Sequence, residues 1–166
     1  MDFELSQRID AEAAAIASAF VDRDYYVELA RLPKLGKPEV LALQHDGTNA
    51  HLEVRYRFTG DLSAAARAVL DPAKLTWVEV SDHDLVAHRI SFVLKPDNYA
   101  DRFSCRGRSR LDPADEDAGV TVRRTQGQLK VRAPLVAGQV ERAIVSGLSE
   151  HLEAEAQLLA SWLAAT

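Results

Sequence analysis

The residues best placed to do chemistry are His151 and Glu155, which lie four positions apart near the end of the chain. Apolar residues recur at helical spacing over residues 134–164, and about 100° per residue puts both side chains inside the apolar stripe. Residues four apart on a helix can touch, and a buried titratable pair is costly unless it is hydrogen-bonded. The pair predicts either polar groups that point into a pocket, as ligand contacts or as acid and base, or an ion pair near the pocket rim. The ion pair is the simpler interpretation.

Two further polar residues lie on apolar faces of predicted strands. His88 is in phase with Ile90 and Phe92, and a lone histidine in such a place is more often a core or rim residue than a catalytic one. Cys105 points inward among small residues and has no activating neighbour in the sequence, which favours an inert core thiol over a nucleophile. No catalytic residue is assigned from these patterns.

Tyr56 and Trp77 could line a pocket, since each combines an apolar body with a polar tip. Packing alone explains both residues equally well. The phase of Trp77 is ambiguous, because Val78 and Val80 compete for the inward face while Glu79 shares the side of Trp77.

The elements that must position these residues follow from periodicity and turn residues. A strand at 2–9 precedes helices at about 10–20, capped by Asp10, and 23–32. Alternation of period two then begins, and Asp46-Gly47 marks a hairpin. The predicted strands are 39–45, 49–59, 74–81, 85–94, 102–111 and 120–132, with a short helix at 64–70 and the terminal helix at 134–164.

Short turns between strands predict antiparallel pairing, and the long apolar stripe of the terminal helix needs a sheet to cover it. The expected fold is therefore α+β, a single domain over 1–166 with a curved sheet of six or seven strands around the terminal helix. Gly107 and Gly127 lie on inward faces, where they either leave volume for a cavity or mark bulges that curve the sheet. Residues 61–70 form either a lid or a structural plug.

Composition excludes several functions. A net charge of −5 and a pI near 5.5 argue against nucleic-acid binding. The single cysteine cannot form an internal disulfide, and no signal peptide or long apolar run is visible, so a cytoplasmic protein without stable membrane insertion is expected. No metal-ligand spacing, phosphate loop or dinucleotide fingerprint occurs, so neither metal nor cofactor is predicted.

Three strings carry a resemblance to a known superfamily: RYRFTG at 55–60, DPAKLTWVE at 71–79 and VERAIVSGL at 140–148. With the order of elements, they resemble the helix-grip fold of the START-like superfamily, which includes polyketide cyclases, lipid-transfer proteins and birch-pollen-allergen-like proteins. Within it, the strings are similar to an uncharacterised actinobacterial family. The resemblance implies a hydrophobic pocket between sheet and terminal helix, and it supplies no catalytic motif.

The expected function is binding of a hydrophobic or amphipathic small molecule, such as a lipid, polyketide or isoprenoid, in that pocket. The predicted ligand-binding residues are Tyr56, Phe58, Trp77, His88, Phe92, Cys105, Ser109, Leu148, His151 and Glu155. One alternative is an enzyme of the polyketide cyclase or dehydratase type that uses the same cavity. Another is a scaffold with a filled core, which binds a partner through the arginine-rich face of 102–111 or the acidic loop 112–117. Neither the ligand nor the oligomeric state follows from the residues.

Overall fold

The computed structural model describes residues 1–115 and 118–166, in which seven strands form one curved antiparallel sheet. The strands are β1 (Asp2–Ile9), β2 (Glu39–His45), β3 (Asn49–Arg57), β4 (Thr76–Asp84), β5 (Arg89–Pro96), β6 (Phe103–Pro113) and β7 (Thr121–Val131). Their order across the sheet is β1-β7-β6-β5-β4-β3-β2. The long helix α4 (Ala137–Ala165) packs against β1 and β7. The predicted α+β helix-grip fold is confirmed.

The described residues also form three short helices. They are α1 (Ala13–Ala19), α2 (Arg23–Glu28) and α3 (Ala64–Arg67), with single 3-10 turns at Leu29–Arg31 and Pro72–Lys74. The predicted cap of the first helix is wrong, because the N-cap residue is Glu12 rather than Asp10, and its side chain makes no capping bond. Asp22 caps α2 through the backbone N–H of Asp24, and α1 and α2 both pack against α4.

The β2–β3 hairpin forms where Asp46-Gly47 predicts it. The Asp46 carboxylate accepts from the backbone N–H groups of Thr48 and Asn49, and Gly47 has a φ of 90°, which a glycine adopts without strain. The turn between β4 and β5 lies elsewhere than predicted. β4 continues to Asp84, whose carboxylate accepts from the N–H groups of Val86 and Ala87.

His88 is therefore not a strand residue. It ends the β4–β5 turn with a φ of 53°, in the left-handed region, and β5 begins at Arg89. The predicted phase with Ile90 and Phe92 is wrong for His88, because the chain reverses direction before the alternation starts. Of the acidic loop 112–117, Glu116 and Asp117 lie outside the described residues. Asp112 belongs to β6 and accepts from both Arg110 and Arg124.

The pairing of β3 with β4 decides which residues of β4 face α4. Tyr56 is paired with Trp77 and Val54 with Glu79. Because Val54 is 2% exposed and belongs to the core under α4, Trp77 and Glu79 share the inner face of the sheet. Val78 and Val80 point to the outer face, so the ambiguity of phase is removed.

Gly107 and Gly127 form a cross-strand pair on the inner face. The register of β6 against β7 runs without a shift, so the glycines do not mark a bulge. They do not leave free volume either. A Cβ atom on Gly107 would lie 2.6 Å from the Phe92 ring, and one on Gly127 would collide with the Phe3 ring. The absent side chains make room for two aromatic rings, which corrects both interpretations.

No helix among the described residues combines the length and the apolar character that crossing a membrane requires.

Candidate functional site

A polar network (Gln7, Tyr25, Arg123 and Glu155) is buried between the sheet and α4. The Tyr25 hydroxyl donates to Glu155 Oε1 at 2.7 Å, and Arg123 Nη1 donates to Glu155 Oε2 at 2.6 Å. Burial by itself raises the pKa of Glu155, but the charge of Arg123 and the Tyr25 hydroxyl outweigh it and the pKa is lowered. Glu155 is therefore an ionised carboxylate whose charge Arg123 neutralises.

Arg123 has little capacity left for any other partner. Its Nε donates to Gln7 Oε1 at 3.1 Å, and its Nη2 donates to the Leu152 carbonyl oxygen at 2.8 Å. The side chain is 4% exposed. A buried guanidinium with all three nitrogens hydrogen-bonded is a structural cation that fixes α4 on β7.

His151 lies one helical turn before Glu155 and does not bond to it. Its Nδ1 atom is buried and has no hydrogen-bond partner in the described structure. Burial is the main reason that the pKa of His151 is lowered, so the ring is neutral at pH 7. The predicted interior position of the two side chains is observed, but the ionic partner of Glu155 is Arg123, deep in the structure rather than at a rim.

Glu79 is a second interior carboxyl, and no described residue forms a hydrogen bond or an ion pair with it. Burial raises the pKa of Glu79 from 4.5 to about 7, and the charge of Glu155 adds to the increase, while Arg123 opposes it. The side chain nevertheless keeps some accessible surface. A carboxyl that is desolvated but still reachable, with no protein partner, is free to interact with a ligand.

Aromatic residues connect Glu79 to one end of the sheet. Trp77, the next inward-facing residue of β4, stacks on Tyr56 with ring centroids 5.9 Å apart and planes 24° apart. Both rings are partly buried. Two inward-facing residues in succession on one strand therefore offer first an aromatic surface and then a carboxyl.

An apolar pocket of about 220 Å³ opens at the same end, between the ends of β6 and β7 and the first turns of α4. Val69 and Leu70, which follow α3, form part of its wall. Two exposed arginines, Arg102 and Arg132, also line it. The apolar side chains that line it are Val69, Leu70, Tyr99, Phe103, Val131, Ala133, Pro134, Val140 and Ile144.

The comparisons with known proteins agree with this architecture. A family model described as a protein of unknown function (DUF2505) matches residues 4–163. The chain belongs to this family. The comparison with curated proteins finds no match.

Solved structures of the START superfamily share the fold of this DUF2505 member. The aromatase/cyclase ZhuI from Streptomyces sp. R1128 is 18% identical with a TM-score of 0.67, over 98% of this chain and 93% of that one. Norcoclaurine synthase from Thalictrum flavum is 14% identical with a TM-score of 0.65, over 98% and 86%. A START superfamily protein from Mycobacterium smegmatis is 18% identical with a TM-score of 0.57, over 98% and 96%. Identities of this size show a common fold.

The predicted ligand-binding residues of this DUF2505 member are distributed along the inner face rather than gathered in one pocket. Tyr56 and Trp77 stack, while Phe92, Cys105 and Leu148 pack in one cluster around Leu129. The Ser109 and Thr125 hydroxyl oxygens lie 2.8 Å apart, so Ser109 already has a hydrogen-bond partner. Burial raises the pKa of the Cys105 thiol to about 12, so this thiol is protonated and a poor nucleophile at neutral pH. None of the ten predicted residues lines the apolar pocket.

Phe58 and His88 lie outside the sheet. Phe58 follows β3, forms an isolated bridge with Leu35 and has its ring against Gly60. His88 lies in the β4–β5 turn. His83, rather than His88, is the interior histidine of this hairpin. Its Nε2 lies 2.9 Å from the Ser81 hydroxyl oxygen, and burial lowers the pKa of His83 to about 4.

The site residues that the sequence patterns missed are Glu79, Arg123 and Tyr25. Glu79 shares the phase of Trp77, which is ambiguous in the sequence, and Arg123 shares the phase of Thr125 and Leu129 in a strand that carries several other basic residues. No pattern in the sequence links Tyr25 to Glu155, because 130 residues separate them.

The arginine-rich outer face is largely balanced by acidic and amide groups. Arg110 and Arg124 share Asp112, Arg55 pairs with Asp97, and Arg106 donates to Gln128. An open depression of about 1010 Å³ lies on this face, where Arg89 and Arg108 alternate with Asp82 and Asp84. Mixed charges at this density are typical of a solvated sheet surface.

Proposed function

We propose that the protein binds a hydrophobic or amphipathic small molecule between the curved sheet and α4. The observation that carries the proposal is the apolar pocket of about 220 Å³, which the ends of β6 and β7, α4 and the segment after α3 enclose. Ligand pockets usually measure roughly 300–1,000 Å³, so this pocket is too small for a whole ligand. In the proposal it holds the apolar end of the ligand, and the remainder extends toward Tyr56, Trp77 and Glu79.

Apolar burial supplies most of the affinity in this proposal, at about 25 cal/mol per Å² of surface removed from water. The groups that orient the ligand are polar atoms to which no described residue forms a hydrogen bond, namely the Glu79 carboxyl, the Tyr56 hydroxyl and His151 Nδ1. Val69 and Leu70 form the outer wall, so the segment 61–70 acts as a lid that moves to admit the ligand. Related folds support the proposal, since norcoclaurine synthase was solved with dopamine and hydroxybenzaldehyde bound. The protein acts in the cytoplasm.

Native mass spectrometry of protein purified from its own host tests the proposal, because a retained ligand appears as a discrete mass increment. Ile144→Trp fills the apolar pocket, whereas Ala143→Trp adds the same ring to the exposed neighbouring position on α4. We expect Ile144→Trp, but not Ala143→Trp, to lose the increment. It should also lose binding of the uncharged probe N-phenyl-1-naphthylamine. Probe binding that survives Ile144→Trp, or that is absent from the wild-type protein, contradicts the proposal.

A second candidate is an acid–base enzyme, and Glu79 is the observation that favours it. A carboxyl with a pKa of about 7 can take up and release a proton at neutral pH, which general acid–base catalysis requires. His151 and Glu155 are poorer candidates, since Glu155 is committed to Arg123 and Tyr25. Incubation with the small-molecule extract of the host should give a product that Glu79→Gln fails to form. Products identical for the wild-type protein and Glu79→Gln contradict a catalytic Glu79.

A further inference from the structure

We propose that the ligand is a cationic amphiphile, an apolar molecule whose polar end is a protonated amine bound against Glu79. This inference rests on the proposed function and adds the chemical class of the ligand. It follows from the charges that the inner face of the sheet holds, from the groups that have no partner, and from the aromatic surface beside Glu79.

The first argument is the net charge of the interior. Arg123 and Glu155 lie 2.6 Å apart and cancel each other. Burial keeps the other titratable groups of the described inner face uncharged at neutral pH, since it shifts the pKa of each away from the charged form. These groups are Tyr25, Tyr26, Tyr56, His83, Cys105 and His151. Among the described residues of the inner face, Glu79 is therefore the group that gains an unpaired charge near neutral pH, as its carboxyl ionises through a pKa of about 7.

The second argument is that an anionic group is disfavoured beside Glu79. A buried carboxylate or phosphate needs a cation or several free donors. Among the described residues of the inner face, Arg123 is the buried cation, and its charge is paired with Glu155 while Gln7 and Leu152 accept from its other two nitrogens. The arginines that line the apolar pocket, Arg102 and Arg132, are exposed to solvent. An anionic group placed beside Glu79 would therefore have no free buried cation there, and it would bind only to the form of the protein in which Glu79 is protonated.

The third argument is the surface on which a cation would rest. Tyr56 and Trp77 stack on each other, and Trp77 is the inward-facing residue next to Glu79 on β4, toward the end of the sheet where the apolar pocket opens. Aromatic faces attract cations within about 6 Å of the ring centroid, and Trp is the best of them. An amine that enters past these rings reaches the Glu79 carboxyl, where an ammonium supplies the donors that the carboxyl lacks.

The inference predicts a dependence on pH. The groups that act electrostatically on Glu79 come from five other elements: Tyr26 from α2, Tyr56 from β3, Cys105 from β6, Arg123 from β7 and Glu155 from α4. Of these, Glu155 stays ionised because its pKa is lowered, and the tyrosines and Cys105 stay neutral between pH 6 and 8 because burial raises the pKa of each. The amine should therefore bind more tightly as Glu79 ionises through its pKa of about 7.

The test is displacement of N-phenyl-1-naphthylamine by three probes of equal length: octylamine, octan-1-ol and octanoate. Octanoate binds to the form of the protein in which Glu79 is protonated. At about pH 8, one unit above the pKa of Glu79, about one molecule in ten is in that form, so octanoate loses about tenfold in affinity. We therefore expect octylamine to bind at least about tenfold more tightly than octanoate, with octanol between them. The preference should decline toward pH 6. Glu79→Gln should reduce it to less than about twofold, whereas Glu39→Gln, at an exposed position on the outer face, should leave it intact.

The outcomes separate the two proposals. If the wild-type protein binds N-phenyl-1-naphthylamine but shows no amine preference, or prefers octanoate, the amine inference is wrong and the hydrophobic site stands. An amine preference that persists in Glu79→Gln likewise overturns the inference. If N-phenyl-1-naphthylamine does not bind the wild-type protein, the proposed function fails first. Urea unfolding of Glu79→Gln shows that a changed preference does not come from a lost fold.

Discussion

Arg123 Nη1 lies 2.6 Å from Glu155 Oε2, and this contact joins the start of β7 to the second half of α4. The two side chains are 4% and 12% exposed, so the pair is desolvated. The first half of α4 packs on the sheet through apolar residues such as Ile144 and Leu148, and its Glu141 carboxylate accepts from the Val131 backbone N–H at 2.9 Å. The second half of the helix is thus fixed by a buried ion pair, and the first half by apolar packing together with a hydrogen bond to β7.

Removing one member of the buried pair should cost far more than removing both. Arg123→Met leaves Glu155 charged and unpaired, and a broken buried pair costs about 3–5 kcal/mol. The double variant Arg123→Met/Glu155→Met should recover much of that loss, because no isolated charge remains. Urea denaturation measures the free energy of unfolding. The fluorescence of Trp162, whose ring contacts Tyr25 in the folded protein, reports the transition. A double variant as unstable as the single one contradicts the prediction.

Two neighbouring tyrosines offer a matched test of the polar network. The Tyr25 hydroxyl donates to the charged Glu155, whereas the Tyr26 hydroxyl donates to the neutral Phe20 carbonyl oxygen at 2.8 Å. Hydrogen bonds to charged groups contribute about 1.5–3 kcal/mol and neutral ones about 1. Tyr25→Phe should therefore lower the free energy of unfolding more than Tyr26→Phe. Equal losses would mean that Glu155 does not depend on the Tyr25 hydroxyl.

Glu79 should make stability fall as the pH rises. Its pKa in the folded protein is raised from 4.5 to about 7, so its favourable contribution is complete below pH 4.5 and is lost as the pH passes 7. The difference is on the order of 2–3 kcal/mol. Glu79→Gln has no such dependence.

Urea unfolding at two pH values measures this effect as a difference between proteins. Near pH 5 the wild-type protein and Glu79→Gln should be similarly stable, and near pH 8 Glu79→Gln should be the more stable. Glu39→Gln, with its side chain exposed, should follow the wild-type curve. A constant difference between Glu79→Gln and the wild-type protein at both pH values would show that Glu79 is not desolvated.

Alanine at two glycines should have opposite effects on stability. On Gly107 a Cβ atom would lie 2.5 Å from the Gln126 carbonyl oxygen, a backbone atom that cannot move aside. Overpacking of this kind costs about 1–3 kcal/mol. On Gly147, within α4, a Cβ atom meets nothing within 4 Å. Gly147→Ala should stabilise the protein by up to about 1 kcal/mol through helix propensity. The thermal unfolding midpoints of both variants test this prediction. A Gly107→Ala variant as stable as the wild-type protein would contradict the close contact between β6 and β7 at this position.

The sheet could be predicted from the sequence because its signals are local. Alternation in β3 fixes which of its residues face α4, and Asp46-Gly47 fixes its turn. The β4–β5 turn could not be placed from composition. The polar run at 81–84 continues the strand, and the Asp84 carboxylate stabilises a turn over residues 85–88, three of which are apolar.

The polar site was harder to predict, because its residues meet only after the sheet curves. Arg123 looks like one more residue of a basic strand until Glu155, 32 positions later, comes to lie above it. Glu79 reads as a surface charge next to Val78 and Val80. Only the register with Val54 places it inside, which is information that one strand alone does not contain.

The two tryptophans of the chain lie in different environments. Trp77 stacks on Tyr56 on the inner face of the sheet, next to Glu79 on β4, while Trp162 contacts Tyr25 at a ring-centroid distance of 5.8 Å, next to the polar network. Each is therefore an intrinsic optical reporter of a separate event. In a Trp162→Phe variant, the fluorescence of Trp77 reports binding of a small molecule without an added dye. In a Trp77→Phe variant, the fluorescence of Trp162 reports separation of α4 from the sheet.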